Sequence, residues 1–257
     1  MRRFLERYFA AAIELLYPRN CQLCFQAIEN TSAIGYVCAD CLRSVHPIRA
    51  PFCQKCGLPF RGEITVTFEC GNCRDKNYAF DRAIAAVTTQ GIVRECVHRF
   101  KYARHEWFGN ILAHYLIEAG LQHFDWDSVD AIVPVPLHPR KLREREFNQA
   151  EFLGNKLSRA FQKPLFTNNL CRIRDTQTQT RLDLQGRAEN MRGAFAVKQP
   201  DAFTGKRLIL VDDVFTTGAT TNECANILFK AGAANVSILT VARQVTREVL
   251  GKATASN

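Results

Sequence analysis

With 257 residues, 47% of them hydrophobic, the chain has apolar side chain enough for one medium domain and a small one, which excludes a disordered protein. A formal net charge of +9 points to an anionic partner. Eleven cysteines would suit a secreted disulfide scaffold, but eight fall in Cys-x-x-Cys pairs, a metal spacing that makes a reducing cytosol the expected compartment. At the start of the chain Glu6, Arg7 and Glu14 leave only residues 8–13 as an unbroken apolar run, too short for a signal core. Phe4, Leu5, Tyr8, Phe9, Ala12, Ile13 and Leu16 lie at helical spacing. Residues 1–18 are therefore expected to form an amphipathic helix packed on its own domain; docking on a partner or at the inner face of the membrane is the alternative. No stretch approaches the roughly 20 apolar residues of a membrane span, so a soluble protein is expected.

Cys21, Cys24, Cys38 and Cys41 recur, displaced by 32, as Cys53, Cys56, Cys70 and Cys73. Each unit has two knuckles whose paired sulfurs aim at one ion, which predicts a double zinc ribbon over residues 19–78 with two tetrahedral thiolate sites. Four thiolates leave no open position for water, so the ions are read as structural. Rubredoxin-type iron is the alternative metal. Sequential pairing is favoured, with a cross-brace left open. Each site lowers the formal charge by two relative to neutral thiols, leaving about +5. Arg43, Arg49, Lys55, Arg61, Arg74 and Lys76 supply either a nucleic-acid or protein surface or a merely solvated face. Cys96, Cys171 and Cys224 stand alone in apolar surroundings and read as core.

After Lys76 strand and helix patterns alternate, so a domain boundary is expected at 77–81, with a second domain over 80–247 and a flexible tail over 248–257. Residues 83–88 read as a strand, and 91–102 and 107–123 as helices. Residues 131–135 form a second strand leading into a segment where Pro134, Pro136 and Pro139 argue against a helix. Arg140, Lys141, Arg143 and Arg145 follow, a cationic loop suited to an anionic leaving group, and 147–161 resume helical spacing. Residues 131–200 hold thirteen Lys or Arg against six Asp or Glu, so most of the charge excess is here. Beyond a third strand at 170–173, the polar, arginine-rich 174–195 reads as a mobile flap. Residues 236–241 give the last strand.

The stretch 207–221, RLILVDDVFTTGATT, organises the rest. Four apolar residues, 208–211, read as a buried parallel strand, and 219–230 as a helix. Strand, Thr/Gly loop and helix N-terminus converge free N–H groups on one point, an anion site suited to phosphate. Asp212 and Asp213 stand just before it, where they would repel phosphate but accept hydrogen bonds from vicinal hydroxyls. Ribose 5-phosphate fits both halves.

These residues resemble the PRPP loop of type I phosphoribosyltransferases. The resemblance implies an α/β fold with a parallel sheet flanked by helices, Asp212 and Asp213 on the ribose hydroxyls, and Thr216, Thr217, Gly218, Ala219 and Thr220 on the 5-phosphate. Mg2+ would accompany PRPP. Purine-salvage members carry Asp where this chain has Thr216, so purine salvage is not expected.

The order of Cys-x-x-Cys ribbons, FKY at 100–102, PVPLH at 134–138, FNQ at 147–149, TQTQ with Arg187, Asn190 and GAF, then the PRPP loop, resembles the ComF family over nearly the whole chain. Glu146 stands where family members have Gly. The resemblance implies pyrophosphate or flap roles for Lys101, Leu137, His138, Arg140, Lys141, Arg145 and Arg187, and a link to DNA uptake in natural transformation, with a gluconate-associated branch. Two functions follow: a cytoplasmic PRPP-binding factor that handles single-stranded DNA beside the uptake machinery, or a transferase moving ribose 5-phosphate from PRPP to a base or amine. The first is preferred.

Overall fold

Six strands carry the chain from residue 83 onward: β1 (Ala83–Thr88), β2 (Ala131–Pro134), β3 (Leu170–Arg172), β4 (Phe195–Val197), β5 (Arg207–Phe215) and β6 (Asn235–Arg243). The computed structural model describes residues 20–28, 36–60, 62, 68–74, 76–102, 106–176 and 189–245. Residues 1–18, expected as a helix, residues 177–188 of the expected flap with Arg187, Arg61, and the expected tail lie outside them.

Four strands form a parallel sheet in the order β1-β6-β5-β2, with Leu208 opposite both Val236 and Ala131. Both faces are covered, so the strands read as continuous apolar runs whose successive residues point to opposite sides. Ile209 and Val211 face α3 (Gly91–Tyr102), α4 (Glu106–His123) and α6 (Gln149–Phe161), while Leu208 and Leu210 face α7 (Ala219–Lys230). In α3 the buried residues Val93, Cys96, Val97 and Phe100 keep helical spacing, and Thr221, Cys224, Ala225 and Leu228 do the same in α7. Close packing on the first face depends on Gly109, where an added Cβ would lie 2.5 Å from Phe100 Cε2 and 2.7 Å from Phe152 Cε1.

The cysteine units, with their short helices α1 (Ala39–Arg43) and α2 (Gly71–Arg74), split between the two faces. Val37 and Val45 join the cluster of α3 and α4; Cys53, Cys56, Cys73 and Phe80 join that of β5 and α7. The segment joining the units, together with the first knuckle of the second unit, also covers the edge of β1: the Ile48 N–H donates to Ala86 O (2.9 Å), the Thr88 N–H to His46 O (3.0 Å) and the Ala83 N–H to Lys55 O of that knuckle (2.9 Å). A sheet edge that would otherwise expose unpaired backbone is thereby closed.

Three expectations are corrected. The prolines do not exclude a helix after β2: α5 spans Pro139–Arg145, with Pro139 in its first turn, where the missing N–H costs nothing. α5 ends on Glu146 at φ 66, the left-handed geometry that glycine adopts freely. The stretch read as flap does not stay irregular to its end: β4 begins at Phe195, where no strand was expected, and pairs antiparallel with β3 outside the main sheet. Cys96 and Cys224 are buried, but Cys171 is only partly so.

Candidate functional site

β5 runs four residues further than its apolar core, so Asp212 and Asp213 lie within the strand rather than after it. The extension is held by β6, where Asp212 faces Thr240 and Val214 faces Ala242. The chain then turns through Thr216 and Thr217, and Gly218 caps α7 at φ 79. A Cβ there would lie 2.7 Å from Phe215 Cζ and 3.1 Å from Tyr78 Cε1, so conformation and space both require glycine. The Ala219 N–H faces Thr217 Oγ1 at 3.4 Å, too long and weak to satisfy it, which leaves the helix N-terminus a donor site.

A cavity of about 390 Å³ opens above this turn, lined by Thr216, Thr217, Ala219 and Thr220 on one side and by Asp212, Asp213 and Lys101 on another. Lys101, in the last turn of α3, places Nζ 2.6 Å from Asp213 Oδ2. Burial alone would lower the Lys101 ammonium, but the Asp213 charge and hydrogen bond, with Asp212, leave it raised. Asp212 sits deep among protein atoms while keeping solvent access along the cavity it lines. Burial, and then the Asp213 charge, push its carboxyl up to about 7.

Of the residues assigned to pyrophosphate, Leu137 and Arg145 join Lys101 in the cavity wall. His138, Arg140 and Lys141 do not. His138 Nδ1 caps α5 by accepting from the Arg140 N–H (3.3 Å), Arg140 pairs with Glu144 (3.2 Å) and Asp175 (3.3 Å), and Lys141 pairs with Glu144 (3.1 Å). They build the helix beside the site.

The wall also contains residues that sequence reasoning did not assign to it. Arg145 donates to Gln149 Oε1 (3.0 Å), and Gln149, 2% exposed, has no protein partner for its Nε2 among the described residues. Arg172 lies over Phe195 and donates to Thr176. Asn148 holds the loop after β2 through Val135 O (3.1 Å) and caps α6 through the Ala150 N–H (3.0 Å). The FNQ signature had flagged Asn148 and Gln149 as characteristic, and only the fold shows that they face the same cavity as the acids. It thus has an acidic pole beside the Thr-Thr-Gly turn and a donor-rich pole at α5 and α6.

Each cysteine unit gathers its own four sulfurs within 4.8 Å of one another, Cys21, Cys24, Cys38 and Cys41 in one and Cys53, Cys56, Cys70 and Cys73 in the other. The pairing is sequential, not cross-braced. Neighbouring sulfurs lie 3.6–3.8 Å apart. A tetrahedron with Zn–S arms of about 2.3 Å has edges of about 3.8 Å, so both sets fit structural zinc.

A family model described as a double zinc ribbon domain matches residues 12–74. Over 232 residues the chain is 31% identical to the DNA utilization protein YhgH of Salmonella typhimurium, an alignment covering 89% of this chain and 99% of that protein. The chain belongs to the ComF family. Other ComF-family relatives are the competence protein F of Haemophilus influenzae (29% identity, 80% of this chain and 90% of that one) and the competence protein ComFC of Bacillus subtilis (29%, 80% and 84%). Among solved structures, adenine phosphoribosyltransferase from Rhodothermus marinus aligns at 17% identity with a TM-score of 0.34, over 55% of this ComF-family chain and 70% of that one. No helix among the described residues is long and apolar enough to cross a membrane.

Proposed function

We propose that this chain binds PRPP with Mg2+ and handles single-stranded DNA in the cytoplasm during DNA uptake. One observation carries the PRPP reading: a single cavity joins the acids ending β5 to a Thr-Thr-Gly-Ala-Thr turn opening α7. The turn offers N–H and hydroxyl donors to a 5-phosphate; Asp212 and Asp213 accept from ribose hydroxyls. Mg2+ would bridge ribose and pyrophosphate oxygens and neutralise charge near the acids. The leaving pyrophosphate would lie toward Lys101 and the donors of Arg145 and Gln149.

The DNA half is supported by the relatives' names, which speak of competence and DNA utilization. Exposed Arg49 and Arg74, and Arg43 where it leaves its exposed pair with Asp40, with exposed aromatic faces at Phe25, Tyr36 and Phe60, supply the cation and stacking chemistry that single strands need. Lys55 is not among those cations, because its ammonium is held by Phe80 O (2.5 Å) and Asp81 O (3.0 Å). The second reading is transfer of ribose 5-phosphate to an acceptor, for which the Gln149 Nε2, without a protein partner among the described residues, is a donor to the departing pyrophosphate.

The test pairs two measurements. Asp212→Ala with Asp213→Ala is expected to abolish Mg-PRPP binding by calorimetry while zinc stays at two per chain; unchanged affinity would remove the site assignment. Fluorescent single-stranded DNA is expected to bind with a steep salt slope, and a change on adding Mg-PRPP would couple the two ligands. No DNA binding at low salt, together with pyrophosphate release in the presence of amine or base acceptors, would replace the DNA reading with the transferase.

A further inference from the structure

Arg243 ends β6 and is 6% exposed, yet no carboxylate pairs with it among the described residues. Its guanidinium donates from Nε to Cys56 O (3.1 Å) and from Nη1 to Thr216 O (2.6 Å), Phe215 O (3.2 Å) and Gln244 O (2.9 Å). Nη2 lies 3.8 Å from Cys56 Sγ, and the planar group stacks 4.7 Å from the Phe215 ring centroid. A buried cation without counter-charge would cost several kcal/mol. A source of negative charge in contact with it is the second cysteine unit, which as a zinc tetrathiolate carries a net charge of −2. Arg243 thus touches a metal ligand with one edge and the phosphate turn with the other.

Two more bonds join the same parts. The Tyr78 hydroxyl donates to Thr217 O (2.9 Å), and burial raises its pKa, so it stays a donor. The Ala79 N–H donates to Asn222 Oδ1 (2.7 Å) in the first turn of α7. The carbonyls of Phe215, Thr216 and Thr217 are therefore all engaged from the side of the second unit. Carbonyl oxygens facing the cavity would repel a phosphate; holding three in succession elsewhere leaves that approach to N–H and hydroxyl donors.

We propose that the second cysteine unit is a strut for the phosphate turn, with Arg243 and Tyr78 as positioning residues, so that metal in the unit and a sugar phosphate in the turn strengthen each other's binding. The proposal rests on the phosphate reading of the turn. It does not extend to the first unit, which has no hydrogen bond to the turn among the described residues. Linkage makes the effect reciprocal: whatever factor the metal contributes to phosphate affinity, the phosphate returns to metal retention.

The probe is ribose 5-phosphate on the full zinc-loaded chain, with calorimetry for affinity and a chromogenic chelator for zinc release. Ribose 5-phosphate is expected to slow release of one zinc per chain by about tenfold and leave the other unchanged. Arg243→Lys, which keeps the charge and loses the fork, is expected to bind ribose 5-phosphate about tenfold more weakly and to lose that protection. Should Arg243→Lys fail to fold, Tyr78→Phe removes a single hydrogen bond and is expected to cost about fivefold in affinity with reduced protection. Normal binding by the wild type with both ions released equally fast, ligand present or absent, would overturn the coupling alone. No binding of ribose 5-phosphate by the wild type would overturn the phosphate reading and the coupling with it.

Discussion

The two cysteine units share one spacing and differ in what surrounds them. In the first, Cys24 is exposed and Cys41 half-buried; in the second only Cys70 escapes full burial. The first rests on helices: Arg99 of α3 donates to Gln22 O, and Tyr36 packs against Trp107 at 5.6 Å. The second rests on the sheet and the turn at 215–218 through Arg243, Tyr78 and Ala79. Ligand spacing specifies the metal chemistry of each unit. Its consequence for the site is decided by the neighbours, so two copies of one motif serve a scaffold and a strut.

Removing a ligand from each unit gives the largest contrast. A structural zinc site is worth about 10–16 kcal/mol where metal and folding are coupled. Cys53→Ser, at a fully buried sulfur that accepts from the Cys70 N–H (3.2 Å), is expected to lose the second zinc, the near-ultraviolet signal of the packed core and all binding of ribose 5-phosphate. Cys24→Ser is expected to drop zinc to one per chain and leave ribose 5-phosphate affinity within about twofold. Equal losses of affinity in the two variants would erase the distinction between scaffold and strut.

Two glycines give a smaller version of the same contrast. Gly218→Ala forces a Cβ between Phe215 and Tyr78 at φ 79, a strain of about 1–3 kcal/mol placed directly on the phosphate turn. It is expected to weaken ribose 5-phosphate by at least about tenfold. Gly109→Ala overpacks the helices against Phe100 and Phe152, on the face that carries the first unit, at a cost of about 1–3 kcal/mol. Its melting temperature is expected to fall by roughly 2–10 °C while affinity is unchanged.

What was legible in the sequence follows from how local each feature is. The strand, turn and helix of 207–230 are one continuous stretch whose apolar run, glycine and threonines each act on their immediate neighbours, and helix α7 begins and ends where the pattern places it. The metal sites are likewise nearly local, since each is closed within about twenty residues. Arg243 was illegible, and Gln149 legible as part of a signature but not as a wall of this cavity, for the opposite reason. Arg243 meets Cys56 across 187 positions of chain, and its apolar context in β6 resembles that of a strand end facing solvent. The cation cluster at 140–145 misled because charge reveals a surface and not its direction: of the four, only Arg145 turns into the cavity, Arg140 and Lys141 being satisfied within α5 or by Asp175 and Arg143 lying exposed.

The smallest expected effect concerns the acidic pole, which the first unit reaches only at one remove, through α3. Arg99 of that helix holds Gln22, and Lys101, two residues on, holds Asp213. Asp212 accepts more strongly from ribose hydroxyls when ionised, and its carboxyl is raised to about 7. Affinity for ribose 5-phosphate is therefore expected to rise severalfold between about pH 6 and 8. Stability should move the other way. Between the ordinary carboxylate range near 4 and about 7 the folded state keeps a proton that the unfolded chain has lost, so stability declines as pH rises through that window. The sugar phosphate's own second ionisation, near 6, also contributes to the affinity trend, and Asp212→Asn separates the two by retaining only that contribution. Lys101→Gln takes away a cation that favours the ionised acids, so the protein's part of the transition is expected to move to higher pH. The stability window should move with it. An affinity profile that is the same in the wild type and in Asp212→Asn would show that Asp212 does not titrate against the ligand, and would confine Lys101 to its pair with Asp213.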